Sequence, residues 1–152
     1  MIDESDKKLL RVIQTESGIT NELLAERVAM SVSVVQRRLK RLRETSIITG
    51  DLALVDPAAV GCPFLFIVGL EIERKRSDLY AKLKRWFSQH EEVQQAYNVT
   101  GSSDFVLLVT ASSLAVYDTF MGEMVKANPN ITKFTTSAVL QTLKRGLVTP
   151  VY

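Results

Sequence analysis

At 152 residues, with 46% hydrophobic and 24% charged positions, the chain is long enough for one ordinary domain or two small ones with real apolar cores. A single cysteine, Cys62, excludes an internal disulfide framework, and a single histidine, His90, far from it in sequence, gives no sign of a zinc cluster or a Cys/His nucleophile pair. No apolar run reaches the roughly 18–20 residues needed to cross a bilayer, and the N-terminus is acidic and mixed, so a soluble protein of a reducing, cytosolic compartment is expected.

The net charge of +2 is unevenly spread: residues 1–50 carry nine Lys/Arg against seven Asp/Glu, while residues 51–152 carry ten of each. The cationic excess lies in the first third of the chain. Asp3 predicts the cap of a helix beginning at Glu4, with Asp6 three residues on completing a box at the positive helix end. Leu9, Leu10 and Ile13 form its apolar face, and Gly18 stops it. Thr20 caps a second helix with Leu24, Ala25 and Val28 inward and Glu22, Glu26 and Arg27 outward. Only Ala29, Met30 and the cap Ser31 separate it from a third.

That third helix, Ser31 to Arg43, has two faces. At about 100° per residue, Val35, Leu39 and Leu42 share one narrow sector, and Ser33, Arg37, Lys40 and Arg41 project the other way. A helix that merely faces water mixes acids with bases, whereas here five bases between Arg37 and Arg43 meet no acid before Glu44. Two helices joined by about three residues, the second basic, form the helix-turn-helix pattern, and double-stranded DNA is the expected partner. Ser33, Val34 and Arg37, with the cap Ser31, lie near the end that reaches base edges; Lys40 and Arg41, further along, suit phosphates. Arg38 borders the apolar stripe, and two readings stand for it: DNA contact, or an internal ion pair.

Ile47 to Val55 alternates well enough for a strand, and Asp56-Pro57 and Gly61-Cys62-Pro63 then break the chain. The expected organisation is a helix-turn-helix domain over 1–50, a hinge strand and linker over 51–62, and a second domain over 63–152. Cys62, ahead of Pro63, reads as a small packed apolar group.

In the second domain the spacing predicts β-α-β-β-α-β: Phe64–Ile72, Ser77–Gln89, Val93–Thr100, Phe105–Thr110, Ser113–Ala127 and Ile131–Leu143. Ser77 and Ser113 are available caps; Leu79, Leu83, Trp86 and Phe87 face inward on the first helix, and Leu114, Tyr117, Met121 and Met124 on the second. This order is the ferredoxin-like split βαβ, so the fold class is α+β. The strands Phe64–Leu70 and Phe105–Val109 are apolar on both faces, and two helices cover only one face of a four-stranded sheet. A second copy is expected on the other. Two-fold pairing would also put two recognition helices on one particle, to suit a palindromic operator. Between two strands, Thr100-Gly101-Ser102-Ser103-Asp104-Phe105 has the composition of a hairpin turn.

The runs Ile2-Asp3-x-x-Asp6-x-x-Leu9-Leu10-x-x-Ile13, Leu24-Ala25-x-x-Val28-x-Met30-Ser31, Val35-x-x-Arg38-Leu39-x-Arg41-Leu42 and Ile47-Ile48 resemble, over nearly fifty residues, the Lrp/AsnC (feast/famine) transcription regulators. Ala29 stands where that family usually has glycine, and Val32 where it often has proline. The resemblance implies a winged helix-turn-helix domain, a hinge strand, and a ferredoxin-like RAM domain that senses a ligand. It further implies that Gly101, Ser102, Ser103 and Asp104 form the Gly-x-x-Asp turn lining an amino-acid pocket between dimers. Backbone N–H groups there would suit an α-carboxylate, and the carboxylate an α-ammonium. Ser102-Ser103 departs from the more frequent acid-then-aromatic pair. By position, Met124, Lys126, Thr136 and Ala138 would neighbour the effector side chain, although Met124 reads equally as core filling and Lys126 as a solvated residue.

The implied function is a sequence-specific regulator, homodimeric with further assembly to tetramers or octamers, that answers to an amino acid or related metabolite. It needs no catalytic residue, metal or cofactor beyond that effector, touches no membrane, and would reside in the cytoplasm on the nucleoid. Two alternatives are a siroheme-decarboxylase-like enzyme, which resembles the same architecture, and an architectural protein that coats DNA with little base preference.

Overall fold

The computed structural model describes residues 2–16, 18–73 and 77–152, with the Ser77 side chain excepted. The chain divides into two compact units: Met1–Leu54 together with Leu143–Tyr152, and Val55–Thr142.

The first unit opens with α1 (Glu4–Ile13), α2 (Asn21–Val28) and α3 (Val32–Glu44). All three begin as the capping chemistry predicts. Asp3 accepts from Asp6 N–H and the Asp6 side chain answers from the Asp3 N–H, closing a capping box. Thr20 accepts from Leu23 N–H and Ser31 from Val34 N–H. α1 ends at Ile13, capped by Gln14, several residues before the glycine expected to stop it. The inward sectors meet in one core of Leu9, Leu24, Ala25, Val28, Val35 and Leu39, where each large aliphatic side chain contributes on the order of 2 kcal/mol through burial.

The strand expected over Ile47–Val55 does not form, and no wing strand follows α3 among the described residues. A lone alternating segment leaves its N–H and C=O groups without a ladder, and strand character needs a neighbour. Leu52 and Leu54 stand 72% and 71% exposed. The last ten residues also depart from the expected division, since Leu143–Tyr152 belong with the first unit rather than the second. The Gln14 side-chain amide grips the Thr149 backbone at both ends, Nε2 to O at 3.1 Å and Oε1 from N at 2.7 Å. Arg11 donates to Val151 O at 2.9 Å.

The second unit contains β1 (Phe64–Ile72), α4 (Ser77–Gln89), β2 (Val93–Asn98), β3 (Phe105–Ala111), α5 (Leu114–Ala127) and β4 (Ile131–Ala138). The sheet order β2-β3-β1-β4, antiparallel throughout, is that of the split βαβ. β2 stops short of Thr100 and β4 short of Leu143. Phe66, Val68, Leu70 and Ile72 alternate inward with Phe105, Leu107, Val109 and Ala111, packing on Leu83, Trp86 and Phe87 of α4 and Tyr117, Phe120, Met121 and Met124 of α5. On α5 the inward stripe starts one turn later than the spacing predicts: Leu114 is 60% exposed, and Phe120 takes a core place. Ser113 caps α5 through Val116 N–H; the cap expected from Ser77 lies outside the described residues.

The opposite sheet face carries Leu65, Ile67, Val106 and Leu108, with Tyr97 beyond. Neither α4 nor α5 covers it, and Ile67 is 43% exposed. On this face Gly69 makes room for two hydroxyls, because a Cβ there would stand 2.6 Å from Ser103 Oγ and 2.8 Å from Thr135 Oγ1.

Candidate nucleic-acid interface and effector region

α3 presents the arrangement a duplex requires. Val35, Leu39 and Leu42 are buried, while Ser31, Ser33, Gln36, Arg37, Lys40, Arg41 and Arg43 are exposed. Its first turn holds no acidic residue, so the positive end of the helix dipole stands unneutralised beside Ser31 and Ser33, whose hydroxyls are 3.2 Å apart. Val34 is half-buried. The turn leading into α3 places Ala29 in the left-handed region at φ 54°, with Met30 N–H donating to Ala25 O at 3.0 Å. Those are the hydrogen bonds of a Schellman end, which glycine makes most cheaply.

The cations of α3 divide into two groups. Arg38 takes the ion-pair reading: its NH1 donates to Asp3 Oδ2 at 2.8 Å and Asp6 Oδ1 at 2.9 Å. Arg41, expected to reach phosphates, donates through NH2 to Asp6 Oδ2. The Asp6 side chain is fully buried. Hydrogen bonding from Arg38 holds the Asp3 carboxyl down at about 2, and it raises the Arg38 guanidinium in return. Burial pushes the Asp6 carboxyl up, but the Asp3 N–H and the guanidiniums of Arg38 and Arg41 outweigh it, and the group sits below the ordinary carboxylate range. Arg37 has no ion pair among the described residues; Lys40 faces Glu44 at 3.8 Å across an exposed pair. Gln36, absent from the sequence-derived set, is exposed beside Arg37; its position on the helix wheel was the available signal. The acidic partners were legible only as caps of α1.

The residues expected to hold an effector are spread over several surroundings. Gly101 takes φ 117°, as a tight turn requires. Asp104 is buried, its N–H donating to Leu70 O at 2.7 Å and its Oδ2 accepting from Ile72 N–H at 2.9 Å, which ties the turn to β1. Asn98 Nδ2 holds the Asp104 carbonyl at 2.8 Å. Ser102 is exposed and Ser103 lies against Gly69 on the open sheet face. Thr136 and Ala138, paired with Val68 and Phe66, lie on the helix side of the edge strand β4. There Thr136 Oγ1 is 2.5 Å from the Tyr117 hydroxyl, which burial pushes above its ordinary range against that hydrogen bond. Met124 is fully buried at the seventh position after Tyr117 in the inward stripe, and Lys126 is exposed. A shallow depression elsewhere, lined by Glu92, Val116, Thr119, Phe120 and Glu123, includes none of the expected effector residues. Among the described residues no cluster of His, Cys, Asp or Glu is arranged to hold a metal ion, and no helix is long and apolar enough to cross a membrane.

Comparison with known proteins places both units. Residues 2–49 match the winged helix-turn-helix DNA-binding model, and residues 65–148 match the Lrp/AsnC ligand binding domain. An HTH-type transcriptional regulator of Sinorhizobium fredii is 37% identical over 99% of this chain and 89% of its own. A leucine-responsive regulatory protein of Rhizobium meliloti is 34% identical over 94% of this chain and 92% of its own. Among solved structures, a transcriptional regulator of Neisseria meningitidis in complex with L-Met superimposes with a TM-score of 0.91 at 27% identity, covering 99% of this chain and 97% of that one. With more than half of its length inside one family domain and both of these relatives above 30% identity, the chain belongs to the Lrp/AsnC family of transcriptional regulators.

Proposed function

We propose that the chain is a sequence-specific DNA-binding transcriptional regulator whose second unit takes an amino acid or related metabolite as effector. The observation that carries the reading is α3, a well-anchored helix with an acid-free first turn and an exposed row of Ser33, Arg37 and Lys40. In this reading Ser31, Ser33, Val34 and Arg37 face base edges, and Lys40 meets a phosphate. The family and its named members are regulators rather than enzymes, and no feature of the chain favours the siroheme-type or DNA-coating alternatives. A regulator of transcription works in the cytoplasm, where the DNA is; association with the nucleoid is part of the same proposal.

An amino-acid effector is supported by the relative solved with L-Met and by the Gly101–Asp104 turn beside the open sheet face. Gly101, Ser102, Ser103, Asp104, Lys126, Thr136 and Ala138 remain its candidate contacts, and Met124 would act from the core beneath them. No other cofactor is proposed. The uncovered apolar face of Leu65, Ile67, Val106 and Leu108 supports a homodimer, with dimers assembling further. Such a dimer predicts a sedimentation mass of two chains or a multiple at micromolar concentration; a mass of one chain contradicts it. The effector biases assembly only by its differential affinity for the assemblies.

The function is tested by titrating the full chain with duplex from its own upstream region and with a scrambled duplex, at fixed salt, with and without each common amino acid. Preference for the upstream duplex, altered by at least one amino acid, is expected. Equal affinity for both duplexes supports DNA coating instead.

A further inference from the structure

The capping box of α1 does more than close its own helix. Asp3 and Asp6 exchange backbone N–H hydrogen bonds at 3.0 and 2.8 Å, and their remaining oxygens reach across to α3. Arg38 bridges both carboxylates and Arg41 closes on Asp6. Two carboxylates and two guanidiniums sum to zero charge, and the Asp6 side chain at their centre is itself fully buried while its partners are partly exposed. A buried, multiply bonded carboxylate constrains geometry more than an exposed pair such as Lys40–Glu44 at 3.8 Å. Residues that read bases must be held closely to their productive geometry by a locked supporting layer, and this network stands beside the Val35 and Leu39 core contacts in tying α3 to α1.

Resting on the reading of α3 as the DNA-contacting helix, we propose that Asp6 is a positioning residue for DNA recognition. Its carboxylate withdraws Arg38 and Arg41 from the cationic row and locks the orientation of α3, so that Arg37 reads bases and Lys40 meets a phosphate. Asp6 touches no DNA itself. Discrimination between sequences, rather than bare affinity, is the property it controls. The usual equation of helix cations with phosphate contacts therefore overcounts: Arg41 contributes little to counterion release although it is half-exposed.

The test uses the full chain, its own upstream duplex, a scrambled duplex and several salt concentrations, read by fluorescence anisotropy. Asp6→Asn keeps an oxygen for the cap and removes the charge. Expected is at least a tenfold loss of affinity for the upstream duplex with unchanged or increased affinity for the scrambled one, because the released Arg41 can reach a phosphate. A purely structural role would lower both affinities together and leave their ratio fixed. In parallel, Lys40→Gln lowers the slope of log affinity against log salt by about one, and Arg41→Gln by less than half of that. This second measurement decides the matter if Asp6→Asn does not fold. An unchanged ratio in folded Asp6→Asn, or equal slope losses for Arg41→Gln and Lys40→Gln, overturns the proposal while the parent's DNA binding stands. A parent that binds no duplex at low salt overturns the regulator reading and this proposal together.

Discussion

Ala29 carries a cost that its side chain does not repay. At φ 54° an L-residue crowds its own Cβ against the backbone, at roughly 1–2 kcal/mol, and the turn between α2 and α3 requires that geometry. Ala29→Gly is therefore expected to stabilise the first unit by about 1 kcal/mol, partly offset by the greater freedom of glycine when unfolded. An unchanged or lower melting midpoint would argue against strain at this turn. Local chemistry of this kind was legible in the sequence: Asp3, Thr20, Ser31 and Ser113 all cap where spacing places them. What was not legible was a partner more than thirty residues away. The helix wheel put Arg38 at the border of the apolar stripe, but nothing local identified Asp3 and Asp6 as its counterions, or showed that Arg41 shares Asp6.

Between elements, that network gives the first unit an acid sensitivity of definite sign. Asp3 titrates at about 2 in the folded chain, against roughly 3.9 when unfolded, and Asp6 is shifted the same way. Depressed carboxylates stabilise the folded state above their unfolded values, and that contribution drains away as pH falls from about 4 toward 2. Helical signal from the first unit should melt progressively earlier over this window, and the decline should be shallower in Asp3→Asn. Identical declines in the two proteins would show that the pairing with Arg38 does not govern acid stability. Elements bounded by caps and stripes were readable from the chain. Elements that depend on a neighbouring strand were not: Ile47–Val55 has the alternation of a strand, yet forms none where no ladder is offered among the described residues, and β4 ends at Ala138 although apolar residues continue to Leu143.

At the scale of the molecule, the chain contributes to its first unit from both ends. Three hydrogen bonds, two donated by Arg11 and Gln14 to the Val151 and Thr149 carbonyls and one donated by Thr149 N–H to Gln14 Oε1, hold the C-terminal tail there. Removing residues 143–152 should destabilise the first unit by about 1–2 kcal/mol, since exposed hydrogen bonds are individually modest. The effect can be read separately, because the only tryptophan, Trp86, lies in the core of the second unit. A lowered helical transition with an unmoved Trp86 fluorescence transition is expected; an unmoved helical transition would make the tail a passenger. The tail's return was invisible to periodicity, because Leu143–Tyr152 form no regular element. The effector region shows the same limit. The turn at Gly101 and the inward place of Met124 follow from local rules, whereas the long-range hydrogen bond from Ile72 N–H to Asp104 Oδ2 has no local signal in the chain's periodicity.

Titration of the parent and of Arg37→Ala with the chain's own upstream duplex, at one fixed low salt concentration, bears most directly on the role of α3. Tight binding by the parent, weakened by roughly 1–3 kcal/mol in Arg37→Ala with relaxed base preference, is the expected result. Equal affinities for the two proteins, or a parent that ignores DNA even in dilute buffer, would contradict it.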